Sequence, residues 1–544
     1  MSGRGGSAVA AARPVRGRRR RPPLLLAIPA LVAVALTLLP LVYLAIRAGG
    51  GGAHAWGVLG RAGTLQLLWK TAALALAVTA AGVAIAVPLA WLVTRTDLPG
   101  RRFFGVAAAL PLVIPSYVAA LALLGALGPR GLLQRLLEGP FGVERLPEIY
   151  GFPGAFAALT LSTYPYVFLL TAAALRDLDP SLEEASRNLG RSGLETFRRV
   201  TLPVLRPSIG AGALLVVLYT LADFGAVSLM QYDALTRAIF LQYRALFDRT
   251  PAAVLALVLV ALTALVLALE ARSRGRALYH RASPGAVRPA ARLALHGWRW
   301  PALAFCSGVT CFFLLVPVGV LLYWLARAIA LAQPLTVAWE AALNSLAVSA
   351  LAAGAAVLAA LPVAVLARRH RARWTLVLER LAFTSNALPG IVIALALVFF
   401  AARYAGPLYQ TVGLLVFAYV VRFLPEALAG ASSALASLNP RLEEAARGLG
   451  RSQASVLVSI TAPLVRSGLA AGAALVFLSA LKELPATLLL RPIGFETLAT
   501  EVWRLTSLGS YSRAALPALL LLVAAAPFVY LLTRRGRPEV EAPG

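Results

Sequence analysis

Two acids stand where acids are costly. Asp223 lies in TLADFGAVSLMQYDALTRAIFLQYR and Glu483 lies 260 residues later in ALKELPATLLLRPIGFETLATEVWR; both stretches are largely apolar. Ionisable side chains inside membrane-length helices are expensive to desolvate and mark solute or ion pathways by default. Two carboxylates at equivalent positions would face each other across a central axis, with Lys482 beside one of them. A plainer reading has Glu483 pairing with Lys482 or Arg491 while Asp223 caps a broken helix. On residue types and spacing alone both readings stay open.

Other chemistry finds little support. The only lysines are Lys70, in LLWKTAA, and Lys482, in SALKELP. Neither follows a glycine-rich turn, so no phosphate-cradling loop is present and any ATP hydrolysis must belong to another polypeptide. Cys306 and Cys311 are five apart in one apolar stretch and would point to different faces of a helix, so no disulfide is expected. His54, His280, His296 and His370 are scattered, giving no metal-ligand spacing, and no cofactor is expected.

The elements that must hold the two acids are membrane helices. The chain has 544 residues, 60% of them hydrophobic, with a mean hydropathy of +0.78. Leu24–Ile46 carries no charge and is long enough to cross about 30 Å of hydrocarbon as a helix. Similar runs predict spans near 24–46, 68–93, 103–127, 153–175, 208–230 and 251–270, then near 301–326, 344–367, 383–402, 409–430, 468–490 and 512–532. The runs do not alternate as barrel strands do. The first apolar run is too long for a signal peptide and reads as a retained helix. The net charge of +28 is carried almost wholly by arginine. Arginine clusters at 18–21, 101–102, 272–276, 368–373 and 534–537 fall on one side of this arrangement, which places both termini in the cytoplasm. No soluble stretch is long enough to fold as a nucleic-acid reader, so the charge is read as membrane topology.

The chain repeats itself. Pro88 matches Pro362 and Pro115 matches Pro389 at an offset of 274 residues; Pro180 matches Pro440, Pro203 matches Pro463 and Arg244 matches Arg504 at 260. The shift places extra residues of the first half in the loop LGPRGLLQRLLEGPFGVERLPEIYG. Six spans per half give both halves one orientation, a parallel repeat about an axis along the membrane normal. The expected organisation is a tail (1–23), a first module (24–270), a cytoplasmic linker (271–300), a second module (301–532) and a tail (533–544).

Each half also holds a polar helix between its fourth and fifth spans: LEEASRNLGRS from Leu182 and LEEAARGLGRS from Leu442. Asp179 and Asn439 are good N-caps, and Pro180 and Pro440 sit at the first helical position. Glu183, Glu184, Glu443 and Glu444 then complement the helix dipole. The small residues Ala185, Ser186, Ala445 and Ala446 permit close approach by another surface, and Gly190 and Gly450 permit a turn.

This pattern resembles the EAA signature of ATP-binding-cassette importer permeases: Glu-Ala-Ala, three residues, Gly, nine residues, Ile, one residue, Leu-Pro. The first copy supplies Glu184, Ala185, Ser186, Gly190, Val200, Leu202 and Pro203; the second supplies Glu444, Ala445, Ala446, Gly450, Ile460, Ala462 and Pro463. Ser186, Val200 and Ala462 depart from the pattern conservatively. The resemblance implies an all-α permease of about twelve membrane helices in two parallel six-helix repeats of the type I importer fold. It implies coupling helices near 180–207 and 440–467, each docking one of two ATPase subunits, and one periplasmic or lipid-anchored solute-binding protein. The stretches around Asp223 and Glu483 look like those of ferric-iron permeases, which implies a hard cation favouring oxygen ligands; thiamine permeases are similarly fused and give the alternative substrate. An ion-coupled carrier fits the twelve spans but has no ATPase to dock. A membrane enzyme would need a repeated motif of histidines or acids at the membrane surface, which the chain does not show.

Overall fold

The computed structural model describes residues 24–52, 56–129, 131–142, 146–245, 250–273, 292–333, 335, 339–370 and 372–535. The tail 1–23, linker residues 274–291 and tail residues 536–544 lie outside the described residues, as do the side chains of Glu443 and Glu444.

Among the described residues the structure is helical, with one isolated parallel bridge between Thr96 and Leu293. Eleven helices are long and apolar enough to cross a membrane, or twelve when the bent pair Arg373–Ala387 and Gly390–Tyr404 counts as one span.

Each half is built on three mutually packed helices: Ala62–Arg95, Phe152–Asp177 and Leu202–Ala222 in the first, Trp339–Arg369, Val412–Ser437 and Ala462–Leu481 in the second. Glycines at repeat-equivalent positions allow the closest approaches. Gly212 lies against the Val167 backbone and Gly472 against Gly430 and Ala427, as membrane helices pack through small residues. The first helix of each half crosses to the other half. Leu24–Gly49 packs on Trp339–Arg369 and Gly390–Tyr404, and Val316–Ala330 packs on Ser116–Leu127. Tyr43 donates to the Phe399 carbonyl (3.3 Å) and Trp324 to that of Gly125 (3.0 Å), so each crossing is also pinned by a hydrogen bond.

Two expected spans in each half are interrupted. The run 103–127 divides into a helix Arg101–Ala107, a 3-10 turn Leu110–Val113 and a helix Ser116–Leu127. Its counterpart bends by 101° between Arg373–Ala387 and Gly390–Tyr404. The cause is Pro115 in one half and Pro389 in the other. Proline lacks the N–H for the helical ladder and pushes its predecessor into extended backbone. Ile114 and Leu388 accordingly have ψ 110° and 108°. The expected fifth spans, 208–230 and 468–490, stop early, at Ala222 and Leu481, and restart as short helices Gly225–Leu229 and Pro485–Leu490. The sequence is largely apolar on both sides of each break, which is why hydropathy alone joins the pieces.

Candidate passage and coupling surface

The two acids sit at the two breaks of the fifth spans. Asp223 is extended (ψ 132°) and 8% exposed. Its Oδ1 accepts the Ala226 and Val227 N–H groups at 3.0 and 3.3 Å, and Ser116 donates its hydroxyl to Oδ2. Thr236 donates to the Asp223 carbonyl at 2.6 Å. Glu483 is 6% exposed; its Oε1 accepts the Ala486 N–H at 3.3 Å, and its Oε2 pairs with Arg422 Nε at 3.0 Å. Both carboxylates thus cap the helix that restarts after them, which offers the freed, buried N–H groups a partner.

The same frame carries different side chains in the two halves. Ser116 follows Pro115, and Gly390 follows Pro389. A Cβ on Gly390 would fall on Glu483 Oε1 and lie 3.1 Å from Arg422 Nη1. The first half therefore pairs a serine with the shorter acid, and the second pairs a glycine with the longer one. At an offset of 260, Arg422, Glu426, Ser479 and Lys482 replace Ser162, Tyr166, Tyr219 and Ala222. The charge is concentrated in the second half. Ser479 lies 3.0 and 2.9 Å from the two Glu426 oxygens, and Lys482 donates to the Leu112 carbonyl of the first half at 3.2 Å. Phe224 meets Trp503 of the second half with ring centroids 5.1 Å apart, and a Cβ on Gly225 would lie 3.3 Å from Leu484 Cδ2, so the breaks adjoin at the seam between halves. Glu483 pairs with neither of the partners expected from sequence: Arg422 takes that place, while Arg491 pairs with Glu496.

The polar helices have an inner and an outer face. Pro180–Asn188 is capped by Asp179, which accepts the Ser181 N–H at 3.0 Å; that bond holds the Asp179 carboxyl below its ordinary range. Glu183 turns inward. Its Oε1 accepts from Thr201 at 2.7 Å and its Oε2 lies 3.6 Å from Arg95 Nε, with both charged side chains buried. Arg95 also donates to the Leu178 carbonyl (3.2 Å), tying the helix to the end of the second span. Ser186 turns inward onto Thr196 at 3.0 Å. Leu182, Ala185 and Leu189 face outward at helical spacing, with the leucines 48% and 78% exposed. The second copy repeats the stripe: Leu442 and Leu449 are 50% and 85% exposed, and Ala445 is exposed. Gly190 and Gly450 both take φ +80°, a left-handed conformation suited to glycine. A π-helical turn follows each copy, Phe197–Thr201 and Leu457–Thr461, just before Pro203 and Pro463.

The duplication of the chain agrees with comparison to known proteins. The family described as binding-protein-dependent transport system inner membrane component matches residues 82–276 and again residues 352–535. The chain belongs to this family. It is a fused, multi-pass inner membrane permease with two modules. It is 35% identical over 95% of its length to a Fe(3+)-transport system permease protein of Haemophilus influenzae, covering 99% of that protein. It is 26% identical over 76% of its length to a ferric transport system permease protein of Actinobacillus pleuropneumoniae, covering 62% of it. A molybdenum transport system permease protein of Escherichia coli is 32% identical over 29% of this chain, covering 69% of that protein.

In this permease several polar residues that sequence reasoning left out stand beside those it chose. Arg422 and Glu426 are ionisable residues within a predicted span, and the criterion that selected Asp223 selects them too. Ser116 and Gly390 follow directly on the matched prolines and were within reach of the repeat. Arg95 and Thr201 gave no signal, because their partner Glu183 reads as a solvated helix acid.

Proposed function

We propose that this permease is the membrane subunit of an ATP-driven importer of ferric iron delivered by a solute-binding protein. The observation that carries this reading is the near full-length similarity to a Fe(3+)-transport permease. The two modules span roughly 24–270 and 301–532, with both termini and the linker around 271–300 in the cytoplasm, where the arginine clusters fall. The polar helices, near 180–207 and 440–467, each dock one ATPase subunit. Their outward stripes Leu182–Ala185–Leu189 and Leu442–Ala445–Leu449 support this, since exposed apolar patches of this kind mark contact surfaces. Glu183 with Thr201 and Arg95 holds the first helix in place, and Gly190, Gly450, Pro203 and Pro463 shape its exit and that of its counterpart. Glu184, Glu443 and Glu444 complete the acidic first turns.

Asp223 and Glu483 line the passage, with Lys482 holding the seam. A trivalent cation prefers oxygen ligands, and carboxylates in a low dielectric stabilise it strongly. The test is radiolabelled iron uptake in cells expressing the permease with its ATPase and binding protein. Uptake that depends on the permease and falls in Asp223→Asn/Glu483→Gln supports the reading. Iron uptake that is indifferent to the permease, with thiamine uptake dependent on it, overturns the substrate; unchanged iron uptake in the double variant overturns the role of the acids.

A further inference from the structure

We propose that the phenol of Tyr117 is a third oxygen ligand for the passing cation, between Asp223 and Glu483; this rests on the ferric reading above. Tyr117 follows Ser116, which bonds to Asp223, so it stands at the first break. Its side chain also reaches the second. A Cβ added to Gly225 would lie 2.8 Å from Tyr117 Cβ, 3.1 Å from its ring and 3.3 Å from Leu484 Cδ2. Gly225 is two residues from Asp223, and Leu484 is adjacent to Glu483. Tyr117 therefore packs its Cβ and ring edge on Gly225, the residue that Leu484 also approaches, where the two breaks come together.

The phenol has no partner there. Tyr117 is 2% exposed and its hydroxyl makes no hydrogen bond. A buried hydroxyl without a partner is destabilising, whereas an apolar side chain of similar shape is not. The repeat shows that packing does not require the hydroxyl. The second half has Ile391 at the equivalent position, 1% exposed and wholly apolar. An unpartnered hydroxyl alone does not single out a site, since Tyr164 has one as well, but Tyr164 faces Phe313 at a ring distance of 5.2 Å and not the breaks. Among the described residues no three His, Cys, Asp or Glu side chains gather to hold a metal ion. A third side-chain oxygen at this seam would be a hydroxyl, and the Tyr117 phenol has no hydrogen-bond partner, whereas that of Tyr419 is engaged with Thr487. Phenolate is a hard oxygen donor suited to iron(III).

The exchange balances without redox change. The hydrolysed ferric ion brings a hydroxide ligand; the phenol O–H bond breaks, the Fe–O(phenolate) bond forms, and the proton leaves with hydroxide as water. Iron remains trivalent. The site is temporary because only one phenol and two carboxylates hold the ion, and one of those carboxylates stays paired with Arg422.

A ferric phenolate absorbs visible light by charge transfer, which gives a readout independent of transport. Full-length permease in lipid nanodiscs is titrated with ferric nitrilotriacetate. Wild type and Tyr164→Phe develop the visible band; Tyr117→Phe does not. In vesicles containing the ATPase and the loaded binding protein, Tyr117→Phe slows iron uptake roughly ten-fold, the scale of a lost metal-site partner, and Tyr164→Phe does not. No band in wild type, or a band retained in Tyr117→Phe, overturns the proposal. Normal iron uptake by Tyr117→Phe also overturns it while leaving the ferric reading standing. Absence of iron uptake by wild type removes both.

Discussion

Gly390→Ala places one methyl group where the second-half acid already sits. The added Cβ would fall on Glu483 Oε1 and lie 3.1 Å from Arg422 Nη1, both within a packed seam. Overpacking of this kind costs about 1–3 kcal/mol, and the better helix propensity of alanine returns at most about 1 kcal/mol. A net loss of about 1–2 kcal/mol follows. Glu483→Asp shortens the acid by one methylene, leaves a small void and lengthens the Arg422 pair, a loss of about 1 kcal/mol. Combining them should repair part of both losses, because the shorter acid vacates the space that the methyl group fills. Gly390→Ser/Glu483→Asp goes further and recreates the Ser116–Asp223 pair of the first half. The assay is a double-mutant cycle on denaturant unfolding of purified permease in one detergent, with iron uptake measured in parallel. The expected coupling energy is about 1–2 kcal/mol in favour of the double variants. Additivity within about 0.3 kcal/mol would refute the claim that residue size at 390 and acid length at 483 are matched.

Glu183→Ala leaves the Arg95 guanidinium buried without its carboxylate and removes the Thr201 bond; unfolding should show a loss of about 3–5 kcal/mol, with Glu183→Gln losing less because its amide oxygen still accepts from Thr201. An equal loss for both would place the whole effect in the lost charge opposite Arg95 and leave nothing for the Thr201 bond or for packing. Leu189→Glu/Leu449→Glu alters two exposed side chains, so stability should change by no more than about 0.5 kcal/mol, while co-purification of the ATPase subunit disappears. Retained co-purification with substrate-stimulated hydrolysis would remove the outward stripes from the docking surface.

Hydropathy and the matched prolines were enough to read the helical class, the span count and the repeat, because burying a backbone in lipid leaves few solutions. They were not enough to read the breaks. Pro115 and Pro389 were visible as repeat markers, yet their consequence, a helix restart in the middle of a span, depends on which carbonyls go unpaired. Asp223 and Glu483 could be chosen by cost alone, but their partners could not: Arg422 lies 61 residues before Glu483, and Ser116 lies 107 before Asp223. The polar helices show the same limit. Their caps and glycines were plain in LEEASRNLGRS, whereas the inward turn of Glu183 depends on Arg95, which the sequence places far away in a different span.

The central claim is that one chain supplies both halves of the permease and both docking helices. Native mass spectrometry of the complex, purified through a tag on the ATPase subunit, tests it most directly. The account predicts one copy of this chain with two ATPase subunits, and one ATPase subunit when Leu449→Glu disables a single stripe. Two copies of this chain with two ATPase subunits, or no change of mass on disabling one stripe, would contradict it.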